Sequence, residues 1–287
     1  MIRLDDSYAH CESVARARAR NFYYSFLVLP RAKRLAMCAI YAFMRECDDL
    51  SDEQGASRGK LEQWRAQLDR TLAGTPAEHA VWPAFLDVAQ RYRIPPRYFH
   101  EMIDGVSSDV SNDEPRRVET FAELYRYCYL VASVAGLTTV HIFGFDDPRA
   151  LELAERCGIA FQLTNIIRDV GEDARMGRVY LPEEDLRHFG VSAESLRGRV
   201  TTPEIRRLLE HEGARARQYY DESLPLIGMM HQDSRPALWA LIEIYSRLLE
   251  RIKQRGYDVL PGKIRLSAAE KTAVLARAWG KRLARIT

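Results

Sequence analysis

The chain has 287 residues, 47% hydrophobic and 10% aromatic, with 42 basic and 40 acidic side chains for a net charge of +2. Such a composition excludes a disordered chain, and the near-balance of charge supplies no global field for nucleic acid. Five cysteines, an odd number without a C-x-x-C pair, exclude a disulfide framework and fit buried thiols in a reducing, cytoplasmic setting.

The N-terminal stretch carries Asp5-Asp6 and then Arg16-Ala-Arg-Ala-Arg20, with no apolar core of a signal peptide. Pro30 opens a long helix at its first turn, running through Ile40, Phe43, Met44 and Cys47 to Asp48-Asp49-Leu50-Ser51-Asp52. The Gly/Ser-rich stretch 54–59 ends it. Lys60–Leu72 and His79–Tyr92 follow, each with apolar residues at three- and four-residue spacing. Pro95-Pro96 starts a helix carrying Tyr98, Phe99, Met102 and Val106. Glu119–Phe143 and Pro148–Asp169 are the two most apolar helices, the second capped by Asp146-Asp147. The uncharged run from Tyr127 to Phe145 has a membrane-spanning length, but its Ser133, Thr138, Thr139 and His141 favour a buried central helix. A loop over 174–182 leads to short helices from Pro182 and Ser192, a capped helix from Thr201-Thr-Pro-Glu, and helices over Arg235–Gln254 and Ser267–Arg285. Strand signals are few, and repeats and Pro-rich linkers are lacking, so the expectation is one all-α domain over residues 1–287.

Two carboxylate ladders carry the chemistry. Asp48 and Asp52 share one helix face, as do Asn165, Asp169 and Asp173. Like charges at this spacing weaken an isolated helix, and each ladder ends a run nearly free of charge, where carboxylates are costly unless paired or metal-bound. Oxygen donors on two such helices suit Mg²⁺, which takes few protein carboxylates and keeps water and phosphate oxygens as its other ligands. A diphosphate held through the metal becomes a good leaving group. Tyr41 and Arg45 lie on the face of the first ladder, and Gln162 on that of the second; these, with Arg168 and Arg178, are candidate diphosphate contacts. Walker, G-x-G, H-E-x-x-H and G-x-S-x-G motifs are absent.

Tyr41-Ala-Phe-Met-Arg-Glu-Cys-Asp-Asp-Leu-Ser-Asp52 and Gln162-Leu-Thr-Asn-Ile-Ile-Arg-Asp-Val-Gly-Glu-Asp173 resemble the two signatures of the squalene/phytoene synthase family. Further matches are Phe26-Leu-Val-Leu-Pro30, 127–136 and Gly177-Arg-Val-Tyr-Leu-Pro182, and the similarity spans roughly residues 10–270. The resemblance implies an isoprenoid-synthase fold, a single helical domain around a central cavity. It implies Asp48, Asp52, Asn165, Asp169 and Asp173 as magnesium ligands and Tyr41, Arg45, Gln162 and Tyr245 as contacts of the prenyl diphosphate substrates, beside the candidate contact Arg168. Arg18-Ala-Arg-Asn21 stands where the family more often has a Ser/Lys/His-containing stretch, so Arg18, Arg20 and Asn21 are the candidate N-terminal contacts. In the implied reaction one allylic diphosphate departs, a double bond of the second chain attacks the cation, and proton loss closes a cyclopropane. Tyr129 and the released diphosphate are the candidate bases.

Asn21-Phe-Tyr-Tyr-Ser-Phe26 and the first signature look most like the bacterial squalene-type enzymes of hopanoid biosynthesis. The expected reaction joins two farnesyl diphosphates to presqualene diphosphate, and continuation toward squalene stays open. Phytoene synthesis from two geranylgeranyl diphosphates is the alternative, and a non-catalytic assembly factor of the same fold a lesser one. NADPH use is indicated by no motif and stays open, as does oligomeric state. The basic helix 271–285, with Val274, Leu275, Ala278, Trp279 and Leu283, is a candidate for peripheral contact with anionic lipid.

Overall fold

The structure, a computed structural model, describes residues 2–19, 21–52, 58–75, 77–109 and 117–283. Helix α1 (Leu4–Arg18) places Asp5 and Asp6 in its first turn and Arg16 and Arg18 in its last, complementing the helix dipole. After α2 (Asn21–Phe26), α3 spans Arg31–Asp52, so Pro30 stands just before the helix and its carbonyl accepts from Arg34 N at 2.9 Å. The break expected after it, 54–59, lies largely outside the described residues, and α4 (Arg58–Leu72) follows.

Helix α5 (Trp82–Arg91) begins later than periodicity predicts: residues 79–81 form a turn, and Pro83 sits in the first turn. Helix α6 covers Pro96–Asp109. Phe43, Trp64, Trp82, Phe85 and Phe99 join α3 to α6 in one aromatic cluster, with centroids 4.3 Å apart for Trp64–Trp82 and 4.6 Å for Phe43–Phe85. Edge and tilted contacts of this kind add to the burial of large rings.

The expected helix Glu119–Phe143 is three pieces. Thr120 caps α7 (Phe121–Cys128) by accepting from Glu123 N; a π-helical turn follows over Tyr129–Ser133, and α8 covers Val134–Phe143. Its apolar run is buried inside the bundle, and among the described residues no helix is long and apolar enough to cross a membrane.

Helix α9 (Arg149–Arg175) continues six residues past the expected end at Asp169. Val170, Gly171 and Ala174 are buried, and their packing offsets the repulsion among the acids of the same turns. Then come α10 (Glu183–Phe189), a 3₁₀ turn at Ser195–Arg197, α11 (Pro203–Ser223) capped by Thr202, α12 (Leu226–Met229), α13 (Arg235–Gln254) and α14 (Ala268–Leu283). The fold is all-α. Among the described residues the β-structure is one isolated bridge, Phe145–Met230. Lys33 ties three elements together, donating to Phe143 O at 2.7 Å and to Asp233 Oδ1 at 2.7 Å. Helix α11 braces α9 through Tyr220 and Thr164, whose hydroxyls lie 2.9 Å apart in the core. All five cysteines are buried and outside any disulfide, and burial pushes Cys11, Cys38 and Cys157 up to about 12.

Candidate active site

Helix α3 delivers Tyr41, Arg45, Asp48 and Asp49 at three- and four-residue spacing. Arg45 pairs with Asp49, and its Nη1 lies 3.9 Å from Asp48 Oδ2. Arg18, from the end of α1, reaches Asp49 at 3.8 Å. Burial first, and Asp48 and Asp49 after it, raise the Tyr41 hydroxyl above its ordinary value and keep it neutral. Arg18, Tyr41, Arg45 and Asp48 therefore form one cluster. Arg20 and the side chains of Asn21 and Asp52 lie outside the described residues.

Helix α9 supplies the other half. Asn165 Nδ2 donates to Gln162 Oε1 at 3.3 Å, and the Asn165 amide also meets the hydroxyl of Tyr245 on α13. Tyr245 stacks on Phe161 with centroids 4.4 Å apart and planes at 16°. Arg168 Nε donates to Asp169 Oδ1 at 2.8 Å, and Lys263 reaches Asp169 at 2.9 Å and Glu172 at 2.8 Å. Asp173 is pushed up to about 6, by burial first and then by Asp169 and Glu172; Arg178 and Lys263 pull the other way.

Two cavities adjoin these groups. One, of about 200 Å³, is lined by Arg45, Cys47 and Asp48 on α3, Met102 and Val106 on α6, Val131 in the π turn, and Arg178. Arg178 thus faces the first ladder while acting on Asp173 of the second, so the fold brings the two ladders to one region. The other cavity, of about 360 Å³, is lined by Arg168, Tyr245, Lys263, Arg265 and Lys271 over Leu241 and Leu248. Burial first, and then Arg265 and Arg168, lower the Lys271 pKa.

Tyr129 opens the π turn and donates to Glu101 Oε2 at 2.9 Å. Burial, then Glu101, hold its hydroxyl well above the ordinary range, so it is a neutral donor rather than a phenolate. Glu101, Lys263, Arg265 and Lys271 were not among the site residues read from the sequence. Their partners lie 28 or more positions away for Glu101 and 91 or more for Lys263, and no local spacing marks such pairs.

Among the described residues no three His, Cys, Asp or Glu side chains gather closely enough to hold a metal ion by themselves. Magnesium does not require such a cage, since water and phosphate oxygens complete its octahedron. The donor chemistry fits: Asn165 Oδ1 is buried without a hydrogen-bond partner, and the Asp173 carboxyl is crowded by like charge. Both features are costly without a cation.

The model of the squalene/phytoene synthase family matches residues 15–270. The 15-cis-phytoene synthase of Synechococcus elongatus is 35% identical over 89% of this chain and 87% of its own. The phytoene synthase of Arthrospira platensis is 37% identical over 88% and 86%. Among solved structures, a dehydrosqualene synthase in complex with ligand superposes with a TM-score of 0.87 at 31% identity, covering 96% of both chains. The squalene synthase HpnC from Alicyclobacillus acidocaldarius gives 0.83 at 27% identity, covering 88% of this chain and 95% of that one.

Proposed function

Because the chain belongs to the squalene/phytoene synthase family, and is therefore a prenyltransferase that condenses prenyl diphosphates head to head, we propose that it joins two farnesyl diphosphates to presqualene diphosphate. The observation that carries the reading is the cavity lined by Arg45 and Asp48 of the first ladder together with Arg178, whose charge also acts on Asp173 of the second. The donor length rests on the 0.87 superposition with a dehydrosqualene synthase over nearly the whole of both chains.

Magnesium held by Asp48, Asp52, Asn165, Asp169 and Asp173 would neutralise the diphosphate and make it a better leaving group. The chain's own groups do the rest. Arg45 and Arg178 both offer guanidinium donors to this cavity, which would fix the phosphate oxygens and direct departure of the allylic group. Met102, Val106, Leu130 and Val131 keep water from the resulting cation, which water would quench. The stacked Phe161–Tyr245 pair offers π-electron density to positive charge. Tyr129, held neutral by burial and Glu101, orients rather than abstracts, which leaves the released diphosphate as the base that takes the cyclopropane-closing proton.

A second reading, phytoene formation from two geranylgeranyl diphosphates, is favoured by relatives at 35–37% identity that are phytoene synthases. Incubation with each diphosphate and magnesium, with and without NADPH, separates the two. A C30 cyclopropyl diphosphate is expected from the farnesyl substrate, and squalene only with the reductant present. A C40 product alone transfers the assignment to the second reading, and no product from either donor overturns both.

A further inference from the structure

The acids of α9 are already answered by cations of the chain. Asp169 Oδ1 accepts from Arg168 Nε at 2.8 Å and from Lys263 Nζ at 2.9 Å, while Oδ2 accepts from Arg168 Nη2. Lys263 also donates to Glu172 Oε2 at 2.8 Å, and Arg178 acts on Asp173. Arg168 belongs to the same helix as Asp169, and its planar fork grips both carboxylate oxygens. Lys263 reaches the ladder from elsewhere, on the connection between α13 and α14.

That connection is fastened on both sides of the lysine, since Leu260, Ile264 and Leu266 are buried. Gly171, two residues beyond Asp169, gives Leu260 its seat: a Cβ there would come 3.0 Å from Leu260 Cδ2. The backbone around Lys263 is therefore held, whereas its four-carbon side chain has room to turn. It lines the cavity of about 360 Å³ together with Arg168, Arg265 and Lys271. The ammonium can thus sit on Asp169 or swing into this cavity without any change of backbone.

Ammonium and magnesium seek the same oxygen. A hard divalent cation and Lys263 cannot both contact Asp169 Oδ1 without strong like-charge repulsion. Magnesium alone would add two positive charges to a stretch whose carboxylates are already balanced, beside a cavity rich in basic side chains. Magnesium entering with a diphosphate brings its own counter-charge, and the displaced ammonium then has anionic oxygens beside it. We propose that Lys263 is a built-in competitor at the second ladder: its ammonium holds Asp169 until a diphosphate arrives with magnesium, and so ties metal loading to substrate loading. The role of Asp169 as a metal ligand here rests on the proposed function. With no metal bound, Lys263 also offsets the mutual repulsion of Asp169, Glu172 and Asp173 along one side of α9.

The test is calorimetric titration of the full chain with magnesium chloride, beside thermal melts in EDTA, in magnesium chloride, and in magnesium chloride with inorganic diphosphate. The native chain is expected to gain little in Tm from magnesium alone and much more once diphosphate is added. Lys263→Met, which keeps an unbranched stem and removes the charge, is expected to bind magnesium alone about tenfold more tightly, the scale of one charge-assisted contact. In EDTA it is expected to melt below the native chain, and to take most of its gain from magnesium alone. Opposite signs mark a competitor, since a side chain that merely supported the fold would lower both stability and metal affinity when lost. Lys263→Gln is expected to follow Lys263→Met, and Lys263→Arg to follow the native chain. Magnesium affinity unchanged or weakened in both Lys263→Met and Lys263→Gln, while the native chain turns over prenyl diphosphates, overturns the competitor and leaves the functional reading standing. A native chain stabilised as much by magnesium alone as by magnesium with diphosphate also overturns the competitor. Tighter magnesium binding by the two variants, with no product from either prenyl diphosphate in the native chain, overturns the functional reading and leaves the competitor standing.

Discussion

Asp48 separates catalysis from stability at the level of one atom. Its carboxylate is half-exposed and lies 3.9 Å from Arg45, a pair of the kind worth about 0–1 kcal/mol. As a diphosphate-site donor facing Arg178, it acts where charge develops during departure, and one such group is worth about a hundredfold or more in rate. Asp48→Asn is therefore expected to cost more than about a hundredfold in kcat while moving the urea midpoint by less than about 1 kcal/mol equivalent. Near-native turnover would sink the assignment of Asp48; an unfolded variant would sink the separation. Tyr129 gives the opposite contrast. A true general base contributes about 10²–10⁴-fold. Burial and Glu101 make the Tyr129 phenolate unfavourable, so Tyr129→Phe is expected to lower kcat by less than about a hundredfold. A deeper loss, with an alkaline activation limb removed by the substitution, would restore the tyrosine as base.

The helix that carries Tyr129 is held by its neighbours' lack of side chains. Its π turn lies between α6 and α9, where Gly105 and Gly158 admit the backbone. A Cβ on Gly158 would come 2.4 Å from Ser133 Cα and 2.8 Å from Ser133 N; one on Gly105 would come 2.9 Å from Leu130 O; one on Gly136 only 3.3 Å from Ala154 O. Backbone cannot yield as a side chain does, and overpacking costs about 1–3 kcal/mol or more. Chemical denaturation should rank the alanine variants Gly158 worst, Gly105 next and Gly136 mildest, with kcat falling in step for the first two because Tyr129 shifts; equal costs would mean the turn is not clamped. The sequence displayed the helices themselves well, since apolar spacing of three and four runs through nearly every one, and α13 falls on its expected bounds. It hid the π turn, because one extra residue in a turn leaves the apolar pattern almost unchanged. It also hid the end of α9, where the acidic run from Asp169 to Asp173 looks like a terminus until the burial of Val170 and Ala174 is known. The ladders were legible because their spacing is local. Arg178 in one cavity with Asp48, Lys263 on Asp169 and Glu101 on Tyr129 were not, because those meetings depend on how helices pack.

Across the whole molecule, the ladder helix α9 depends on α11 behind it, and α11 holds a carboxyl where none is expected. Glu212 is wholly buried, its Oε1 accepting from Arg215 Nη1 at 2.8 Å and its Oε2 without a hydrogen-bond partner. Arg215 also serves Asp185 of α10 at 3.0 Å, and His211 approaches both, with Nε2 3.1 Å from Arg215 Nη2 and 3.7 Å from Asp185. One guanidinium thus faces two carboxyls. Burial, with Asp185 beside it, pushes Glu212 from 4.5 up to about 8, although Arg215 pulls it down. A group whose pKa rises on folding gives its full contribution below the unfolded value, and that contribution fades as pH climbs through the folded one. Stability should therefore decline between pH 4.5 and about 8 through this residue. The loss is on the order of a few kcal/mol, since each tenfold change in proton affinity between folded and unfolded chain is worth about 1.4 kcal/mol. Glutamine in its place is uncharged at every pH. The Glu212→Gln variant is expected to match or trail the native chain in urea midpoint at pH 5 and to exceed it at pH 9, with a flatter profile between. Parallel profiles for the two proteins would mean that Glu212 is ionised in the fold throughout, with Arg215 outweighing its burial.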